Sequence, residues 1–165
     1  MPKNYRPVAI IPVLCKLYSM LVLSRVKSQI DKVLPIEQAG FREGMGCADH
    51  IHAVRLVAEK AQEWGLTVWA GSLELEKTFD KVYIQDVEDS LTTADVDLGY
   101  IEAIADIYAD QSLYVELNGS TCSRDVNIER GVRQGDPLSP LLFINVLRAV
   151  MDKLVPSWNP KNYAI

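Results

Sequence analysis

Two stretches in the first half of the chain carry apolar residues spaced three or four apart, which predicts two helices. The first covers Leu14–Val33 and should end before Pro35, because proline rarely continues a helix. The second should have Asp49 as its N-cap and run through Trp64, with Gly65 just past its end. The positions predicted to be buried are Leu14, Leu17, Tyr18, Leu21, Val22, Val26, Ile30 and Val33 in the first helix and Ile51, Val54, Val57, Ala58 and Ala61 in the second.

The segments around these helices differ in pattern. Residues 4–12 are punctuated by proline, which indicates an extended segment or a loop. Residues 67–75 form an apolar run that predicts a buried strand. Helices are predicted at about 84–94 and 98–111. The order of these elements is that of a mixed α+β protein.

A hairpin is predicted next. Residues 112–117 alternate between polar and apolar side chains, and Asn118-Gly119 is a strong signal for a two-residue turn. The returning strand should run to about Ile128. This pattern is the clearest β-structure signal in the chain.

A polar loop at 131–137 precedes the last predicted helix. That helix should start near Ser139-Pro140, where a proline in the first turn does no harm because its missing N–H would lack a partner anyway. It should continue to about Leu154. Neither an internal repeat nor a linker is visible, so the chain is predicted to be one α+β unit.

Composition is consistent with a single globular domain. The chain has 165 residues, of which 48% are apolar and 24% are charged. The most apolar stretch, 138–155, is interrupted by Arg148, Asp152 and Lys153, so no segment reaches the ~20 apolar residues that a membrane span needs. The first residues lack the pattern of a secretory signal. We therefore predict a nuclear or cytoplasmic protein that is not secreted and has no membrane partner.

Charge is unevenly distributed around a net value of −5. Residues 1–60 hold nine basic and five acidic side chains, whereas residues 83–116 hold nine acidic side chains and no lysine or arginine. The first segment is therefore suited to phosphates and the second is not. The acidic stretch is interpreted as the solvated face of two helices.

The cysteines do not indicate a disulfide framework or a zinc site. Cys15, Cys47 and Cys122 are far apart and odd in number. Cys47 and His50 have C-x-x-H spacing, but zinc needs four ligands and no second pair with ligand spacing is present. A small buried thiol and ordinary histidines are the preferred interpretation.

Three segments have compositions suited to chemistry. The loop QAGFREG places Arg42 between glycines, where a backbone can approach a ligand and a guanidinium can pair with phosphate. The segment LELEKTFD puts Glu74 and Glu76 at the end of the predicted strand, and carboxylates are ligands that Mg²⁺ accepts. The segment RGVRQGDPLSPLLF is a polar, glycine-rich loop that leads into an apolar helix. Taken singly, each is also explained as a turn, surface charge or a helix N-terminus.

Together and in this order, the segments resemble the reverse transcriptases of non-LTR (LINE-type) retrotransposons, with group II intron enzymes as more distant relatives. The fingers motifs of that family are similar to NYRPVAIIPVLCKLYSMLVLSRV and PIEQAGFREGMGCADHI. The first palm motif is similar to SLELEKTFDKV, and the next motif is matched nearly letter for letter by RGVRQGDPLSPLLF. The resemblance covers about residues 4–153.

The resemblance implies a partial right-hand polymerase fold. Residues 1–66 would be a fingers-like region, and residues 67–165 would be a partial palm with the first palm strand, connecting helices, a hairpin and the following palm helix. The thumb would be absent, which makes one truncated reverse transcriptase domain overall. The palm strand would have an unpaired edge, so we expect the isolated chain to be only marginally stable in solution.

The resemblance also implies two Mg²⁺ ions held by three carboxylates. Glu74 stands at the first catalytic and metal-ligand position, where the family has aspartate. The extra methylene moves the carboxylate by about 1 Å, which can cost on the order of 10²-fold in rate. The other two ligands come from a downstream Ala-Asp-Asp hairpin, yet the sequence contains no Asp-Asp pair and ends at Ile165 before that hairpin is expected. We predict that this chain alone does not polymerise DNA.

Further roles carry over position by position. Arg42 and Lys16 would hold the triphosphate of the incoming nucleotide, and Gln134 and Gly135 would line the templating base pair. Phe79 would lie under the incoming sugar, with a core phenylalanine as the equal alternative. The remaining expected roles are template contact or capping of the palm for Arg130 and Arg133, and bracing of the local turn for Asp80. The parent enzyme would use an RNA template, a DNA primer and a dNTP, with Mg²⁺ and no small-molecule cofactor.

Three functional interpretations remain open at this point. The chain is a piece of an RNA-directed DNA polymerase, or a non-catalytic remnant or repurposed protein with weak nucleic-acid binding, or an unrelated α+β scaffold. The family resemblance supports the first, which is the main interpretation, and Glu74, the missing Asp-Asp motif and the net charge support the second as its alternative. Motif-level similarity makes the third the least favoured.

Overall fold

The computed structural model describes residues 8–117 and 121–158, and the side chains of these residues except those of Leu117, Thr121 and Cys122. Backbone contacts divide the chain into two units, Met1–Leu34 with Lys77–Ile165 and Pro35–Glu76. Each unit is described by itself. The elements are α1 (Val13–Val33), α2 (Cys47–Glu63), α3 (Thr78–Lys81), α4 (Ile84–Thr93), α5 (Leu98–Tyr108), β1 (Ser112–Leu113), β2 (Glu116–Leu117), β3 (Thr121–Cys122), β4 (Val126–Asn127) and α6 (Ser139–Trp158).

The core of the first unit lies between four helices, α1, α4, α5 and α6. Helix α4 packs on both α5 and α6, and its Val87 and Leu91 are fully buried. They meet side chains such as Ile104 of α5 and Leu142 of α6, which are also fully buried. Burial of these aliphatic side chains is the main stabilising contribution to this unit.

Helix α1 confirms the predicted element but not the whole predicted face. Its buried residues are Ser19, Val22, Val26 and Ile30, which follow one stripe at helical spacing. Leu14, predicted to be buried, is 80% exposed, and Leu17, Tyr18 and Leu21 are also exposed. Helical periodicity identifies an apolar stripe, but the neighbouring helices decide which turns of it are covered.

The predicted hairpin is present as two short antiparallel pairs. Strand β1 pairs with β4, and β2 pairs with β3. The register shifts by one between the pairs, because residues 114–115 lie opposite residues 123–125. This irregularity is held by Ser123, whose backbone N–H donates to the Val115 carbonyl at 2.8 Å and whose hydroxyl accepts from the Val115 N–H at 2.8 Å. The predicted turn residues Asn118 and Gly119 lie outside the described residues.

The remaining long helices of the first unit agree with prediction, whereas the short helix α3 was not predicted. Helix α4 matches the predicted range within a residue, and α5 ends at Tyr108, three residues before the predicted end. Helix α6 starts at Ser139 as predicted and extends past Leu154 to Trp158, with Pro156 inside its last turn. No helix in the described part of the chain is long and apolar enough to cross a membrane.

The second unit is built around α2. The N-cap is Gly46 rather than Asp49, which lies at the third helical position and accepts a hydrogen bond from the Gly46 N–H at 2.9 Å. The end of α2 agrees with prediction, because Gly65 has φ +65° and the Leu66 N–H donates to the Ala61 carbonyl at 2.8 Å, as in a Schellman motif. Of the predicted buried face, only Ala61 is buried.

The buried strand predicted at 67–75 is wrong. These residues have no regular secondary structure, and their side chains are exposed, with Trp69 at 92% and Leu73 at 84%. A strand needs a neighbour that pairs with its N–H and C=O groups. No described segment pairs with residues 67–75. Glu74 and Glu76 therefore do not lie on the face of a strand.

Candidate functional site

The loop of residues 130–138, called here the polar loop, is fastened to the segment around α3. The Gly131 N–H donates to the Val82 carbonyl at 2.7 Å, and the Val132 N–H donates to the Phe79 carbonyl at 2.8 Å. Gly131 has φ +106°, and a Cβ atom there would lie 3.1 Å from the Asp80 Cα atom. Glycine is favoured at this position, because a side chain would be strained at this backbone angle and would press on the Asp80 backbone.

The turn Gln134-Gly135 lies against the segment that precedes α1. The Ala9 N–H donates to the Gln134 carbonyl at 2.8 Å. Gly135 has φ +112°, and a Cβ atom there would lie 2.7 Å from the Ala9 carbonyl oxygen. The second glycine of the motif thus allows two backbone segments of this chain to meet, while Gln134 is half-buried.

Asp136 is a buried carboxylate that the sequence did not single out. It is 3% exposed, and both of its oxygens have donors. Oδ2 accepts from the Ser19 hydroxyl at 3.2 Å, and Oδ1 accepts from the Leu138 N–H at 3.0 Å. The carboxylate therefore links α1 to the residues that lead into α6.

Arg133 is engaged inside the first unit. Its Nε donates to Gln111 Oε1 at 2.6 Å, and its Nη2 donates to the Ile107 carbonyl at 2.5 Å. Its guanidinium carbon lies 5.3 Å from the centre of the Tyr108 ring. These contacts place a cation at the C-terminal end of α5, where the helix dipole favours positive charge. The contact caps helix α5, and the two expected roles of Arg133, template contact and capping of the palm, stay predictions.

Tyr108 is the second buried polar group that the sequence did not single out. Its hydroxyl and the hydroxyl of Ser139 are 2.9 Å apart, which joins the end of α5 to the start of α6. Burial raises the pKa of Tyr108 to about 12, although the hydrogen bond to Ser139 acts in the opposite direction. The phenol is thus neutral at any physiological pH. Its helical spacing from Ile101 and Ile104, which are also buried, was the available sequence signal.

Phe79 was predicted either to lie under the incoming sugar or to be a core phenylalanine. Its ring stacks on that of Phe143 with centroids 4.9 Å apart and an angle of 25° between the planes. It is half-buried and packs against the core of the first unit. The contact to Phe143 corresponds to the alternative of a core phenylalanine, and the contact to a sugar stays a prediction.

The other predicted residues of the first unit lie at its surface. Lys16 is exposed on α1. Arg130 is exposed, with Nη1 donating to the Tyr83 hydroxyl at 3.2 Å and its guanidinium 5.8 Å from the Tyr83 ring centre. Asp80 lies in the short helix α3, and its N–H donates to the Lys77 carbonyl at 3.2 Å. The bracing of the local turn by Asp80 stays a prediction.

Arg42 and Glu74 lie in the second unit. Arg42 Nη1 donates to the Pro35 carbonyl at 2.8 Å, which holds the loop before α2. Glu74 is exposed in the irregular segment 66–76. Within the described residues, no three side chains of His, Cys, Asp or Glu are grouped so that they could hold a metal ion. A single exposed carboxylate does not fit a two-metal centre, which needs several carboxylates around each pair of ions.

Comparison with protein families decides the relationship. The family described as reverse transcriptase (RNA-dependent DNA polymerase) matches residues 1–164. The chain belongs to the reverse transcriptase family. The match includes both described units, so the family assignment does not rest on the polar loop alone.

Individual relatives place this reverse transcriptase segment among the non-LTR retrotransposons. It is 30% identical to the Pol polyprotein of the type-2 retrotransposable element R2DM of Drosophila melanogaster over 93% of the chain and 14% of that protein. It is 28% identical to the Pol polyprotein of an R2 element of Popillia japonica over 94% of the chain and 21% of that protein. It is 26% identical to the RNA-directed DNA polymerase from the mobile element jockey of Drosophila melanogaster over 85% of the chain and 15% of that protein.

The predicted relationship to LINE-type reverse transcriptases is confirmed by these matches. The chain spans only about a fifth or less of the length of these relatives.

Proposed function

We propose that this chain is part of an RNA-directed DNA polymerase of a non-LTR retrotransposon and supplies part of the surface that holds template, primer and nucleotide. The proposal rests on the structure of the polar loop. Its backbone is fastened at Gly131, Val132, Gln134 and Asp136, and yet Gln134 is only half-buried. A fixed backbone that presents a side chain with two donors and an acceptor is suited to a base pair, because preorganised polar groups lose little entropy on binding.

The proposed contacts follow the family positions. Gln134 and Gly135 contact the templating base pair and the incoming nucleotide, with Phe79 near its sugar. Lys16 and Arg42 meet the triphosphate. Arg130, whose guanidinium is exposed beside Tyr83, meets the phosphates of the template. The partners of the parent enzyme are therefore an RNA template, a DNA primer and a dNTP.

Metal chemistry belongs to the parent enzyme in this proposal. Two Mg²⁺ ions supply activation of the primer hydroxyl and stabilisation of the triphosphate when bound. Of the residues described, Glu74 is the one at a metal-ligand position of the family, and one carboxylate holds neither the geometry nor the charge for two ions. The chain by itself binds nucleic acid without polymerising DNA.

Binding to an RNA template annealed to a labelled DNA primer tests the proposal. We expect fluorescence anisotropy to show an affinity that falls about tenfold or more between 50 and 200 mM salt, because cations on the protein displace counterions from phosphates. With the dNTP complementary to the next template base present, Arg42→Ala should weaken binding by about tenfold, the effect of a hydrogen bond to a charged group of about 1.5 kcal/mol. Gln134→Ala should weaken binding by about fivefold, the effect of a neutral hydrogen bond of about 1 kcal/mol.

Two variants serve as matched controls for these substitutions. Gln85 is an exposed glutamine that bonds Asp89 on α4, and Arg55 is an exposed arginine paired with Glu59 on α2. Gln85→Ala and Arg55→Ala should leave the affinity within about twofold, since exposed pairs contribute little. Equal binding by all four variants would show that the loop and Arg42 are not part of the surface.

The non-catalytic alternative makes a different prediction for the same assay. A remnant without a working surface would show weak binding at every salt concentration. Template-dependent primer extension by the pure chain would contradict the proposed lack of polymerase activity. A parallel extension reaction with Glu74→Asp shows whether the longer side chain matters.

A further inference from the structure

Buried polar side chains cluster behind the polar loop. Ser19 of α1 and Asp136 of the loop form one hydrogen-bonded pair, and Tyr108 of α5 and Ser139 of α6 form another. All four residues are almost completely buried. They come from three helices and the loop, so the cluster lies where these elements meet.

We propose that Ser19 and Asp136 are positioning residues that fix the orientation of Gln134. The inference rests on the proposed function, because it assigns to these two residues the placing of a side chain that we propose to contact the template base pair. Neither residue would touch the substrate. They would act through the backbone of the turn that carries Gln134.

The hydrogen bonds around Asp136 hold its carboxylate in one position. Both oxygens accept hydrogen bonds, from the Ser19 hydroxyl and from the Leu138 N–H. A buried carboxylate that lost these donors would be strongly disfavoured, so alternative loop conformations that separate them are costly. The residue is thereby anchored to α1 on one side and to the start of α6 on the other.

This anchor acts directly on the turn. The Asp136 N–H donates to the Arg133 carbonyl at 3.3 Å, which closes the backbone around Gln134 and Gly135. Arg133 is itself held by Gln111 and by the Ile107 carbonyl. Gln134 therefore lies between two residues whose side chains are fixed, and its own carbonyl accepts from Ala9.

A carboxylate at position 136 indicates that the residue positions the turn and does not mainly stabilise the fold. Well-packed apolar residues at both 19 and 136 would join α1 to the start of α6 without the cost of burying a carboxylate, and such joint replacements of a buried polar pair are often neutral or stabilising. A carboxylate with two donors, in contrast, fixes direction as well as distance. The core nearby is already supplied with fully buried aliphatic side chains such as Leu138 and Leu142.

Hydrogen exchange of the free protein tests the positioning without any ligand. The reporter is the Ala9 amide, whose acceptor is the Gln134 carbonyl and which neither substitution changes chemically. Ser19→Ala and Asp136→Ala should increase its exchange rate about tenfold. Asp136→Asn should restore protection to within about threefold of the wild type, because its side-chain oxygen can still accept from Leu138 and its amide can donate to Ser19.

Ser24→Ala is the matched control on the same helix. Ser24 is exposed, and its hydroxyl bonds only the Leu21 carbonyl of its own helix among the described contacts. It should leave the Ala9 amide unchanged. Unchanged Ala9 exchange in both Ser19→Ala and Asp136→Ala would overturn the proposal. If Asp136→Ala does not fold, Ser19→Ala decides alone, since it keeps the carboxylate and its bond to Leu138.

A double-mutant cycle with primer–template binding separates positioning from a general loss of structure. If Asp136 acts through Gln134, adding Gln134→Ala to Asp136→Ala weakens binding by less than twofold beyond the single change. Independent effects, in which the two losses multiply, would overturn the proposal. If the wild type does not bind primer–template at all, the proposed function fails, while the exchange experiment still decides whether Ser19 and Asp136 order the turn.

Discussion

The polar loop and the segment 66–76 both match sequence motifs of reverse transcriptases, yet they differ in how their structure is determined. The polar loop has little regular secondary structure, but backbone and side-chain hydrogen bonds fasten it at Gly131, Arg133, Gln134 and Asp136. The segment 66–76 is strongly apolar, but it forms no strand, and Trp69 and Leu73 are exposed.

The difference shows that apolar character alone does not order a segment. The described partners of the polar loop lie in the first unit: in the segment before α1, in α1 itself, in α3 and the residues after it, in α5 and the residues after it, and in the residues that lead into α6. A strand depends on a neighbouring strand for its backbone hydrogen bonds, and no described segment supplies one to residues 66–76. Motif similarity therefore has different structural consequences in the two places.

The largest expected effect compares the core behind the loop with the exposed segment. Leu142 is fully buried on α6, so Leu142→Ala should lower the free energy of unfolding by about 2–5 kcal/mol. Leu73→Ala should change it by less than about 0.5 kcal/mol, because the side chain has little contact to lose. Urea unfolding followed by circular dichroism measures both. A loss at Leu73 as large as that at Leu142 would mean that the segment 66–76 is packed in solution.

A smaller effect is expected from the glycines of the two regions. Gly131→Ala forces a side chain onto φ +106° and against the Asp80 backbone, and should lower the free energy of unfolding by about 1–3 kcal/mol. Gly71→Ala is the control, since a Cβ atom there meets nothing within 4 Å. Its effect should stay within about 0.5 kcal/mol. The same unfolding assay would contradict this account if the two substitutions were equally tolerated.

The smallest expected effect concerns the pH dependence of the cluster behind the loop. The folded protein favours the neutral phenol of Tyr108, because burial raises its pKa from 10.0 to about 12. This contribution to stability is complete below pH 10 and is lost as the pH rises from 10 through 12.

Tyr108→Phe removes this titration together with the hydrogen bond to Ser139, which contributes about 1 kcal/mol. The wild type should be the more stable protein at pH 8, and its advantage should shrink as the pH approaches 12. Urea midpoints of both proteins at pH 8, 10 and 11.5 give the comparison. A constant difference across this range would show that the buried phenol does not titrate as described.

The helices show how much of the fold the sequence could predict. The start of α6 at Ser139-Pro140, the range of α4 and the end of α2 at Gly65 were predicted correctly, because capping and turn signals act over a few residues. The exposed Leu14 and the buried Ser19 on α1 were not, because burial depends on which helix lies opposite. The N-cap of α2 was misplaced from Gly46 to Asp49, since an aspartate stabilises a helix N-terminus from either position.

The candidate site, like the helices, was predicted from the sequence only in part. The motif similarity identified the polar loop, and the family match confirmed the relationship. The motif similarity did not identify Asp136, Tyr108 or Ser19. A polar side chain can be predicted to be buried only when its partners from other elements are known. Nor did the motif similarity show that Gly135 is required by the approach of Ala9, since that contact joins residues far apart in the chain.

The sequence by itself determined the five longer helices, the hairpin and the membership of the reverse transcriptase family, because these follow from short-range periodicity, turn chemistry and motif order. The tertiary structure decided which faces are buried, that Arg133 caps α5, and that the apolar run at 67–75 does not become a strand. These outcomes depend on hydrogen bonds and packing between residues distant in sequence, and a local pattern carries no information on whether such a partner is in place.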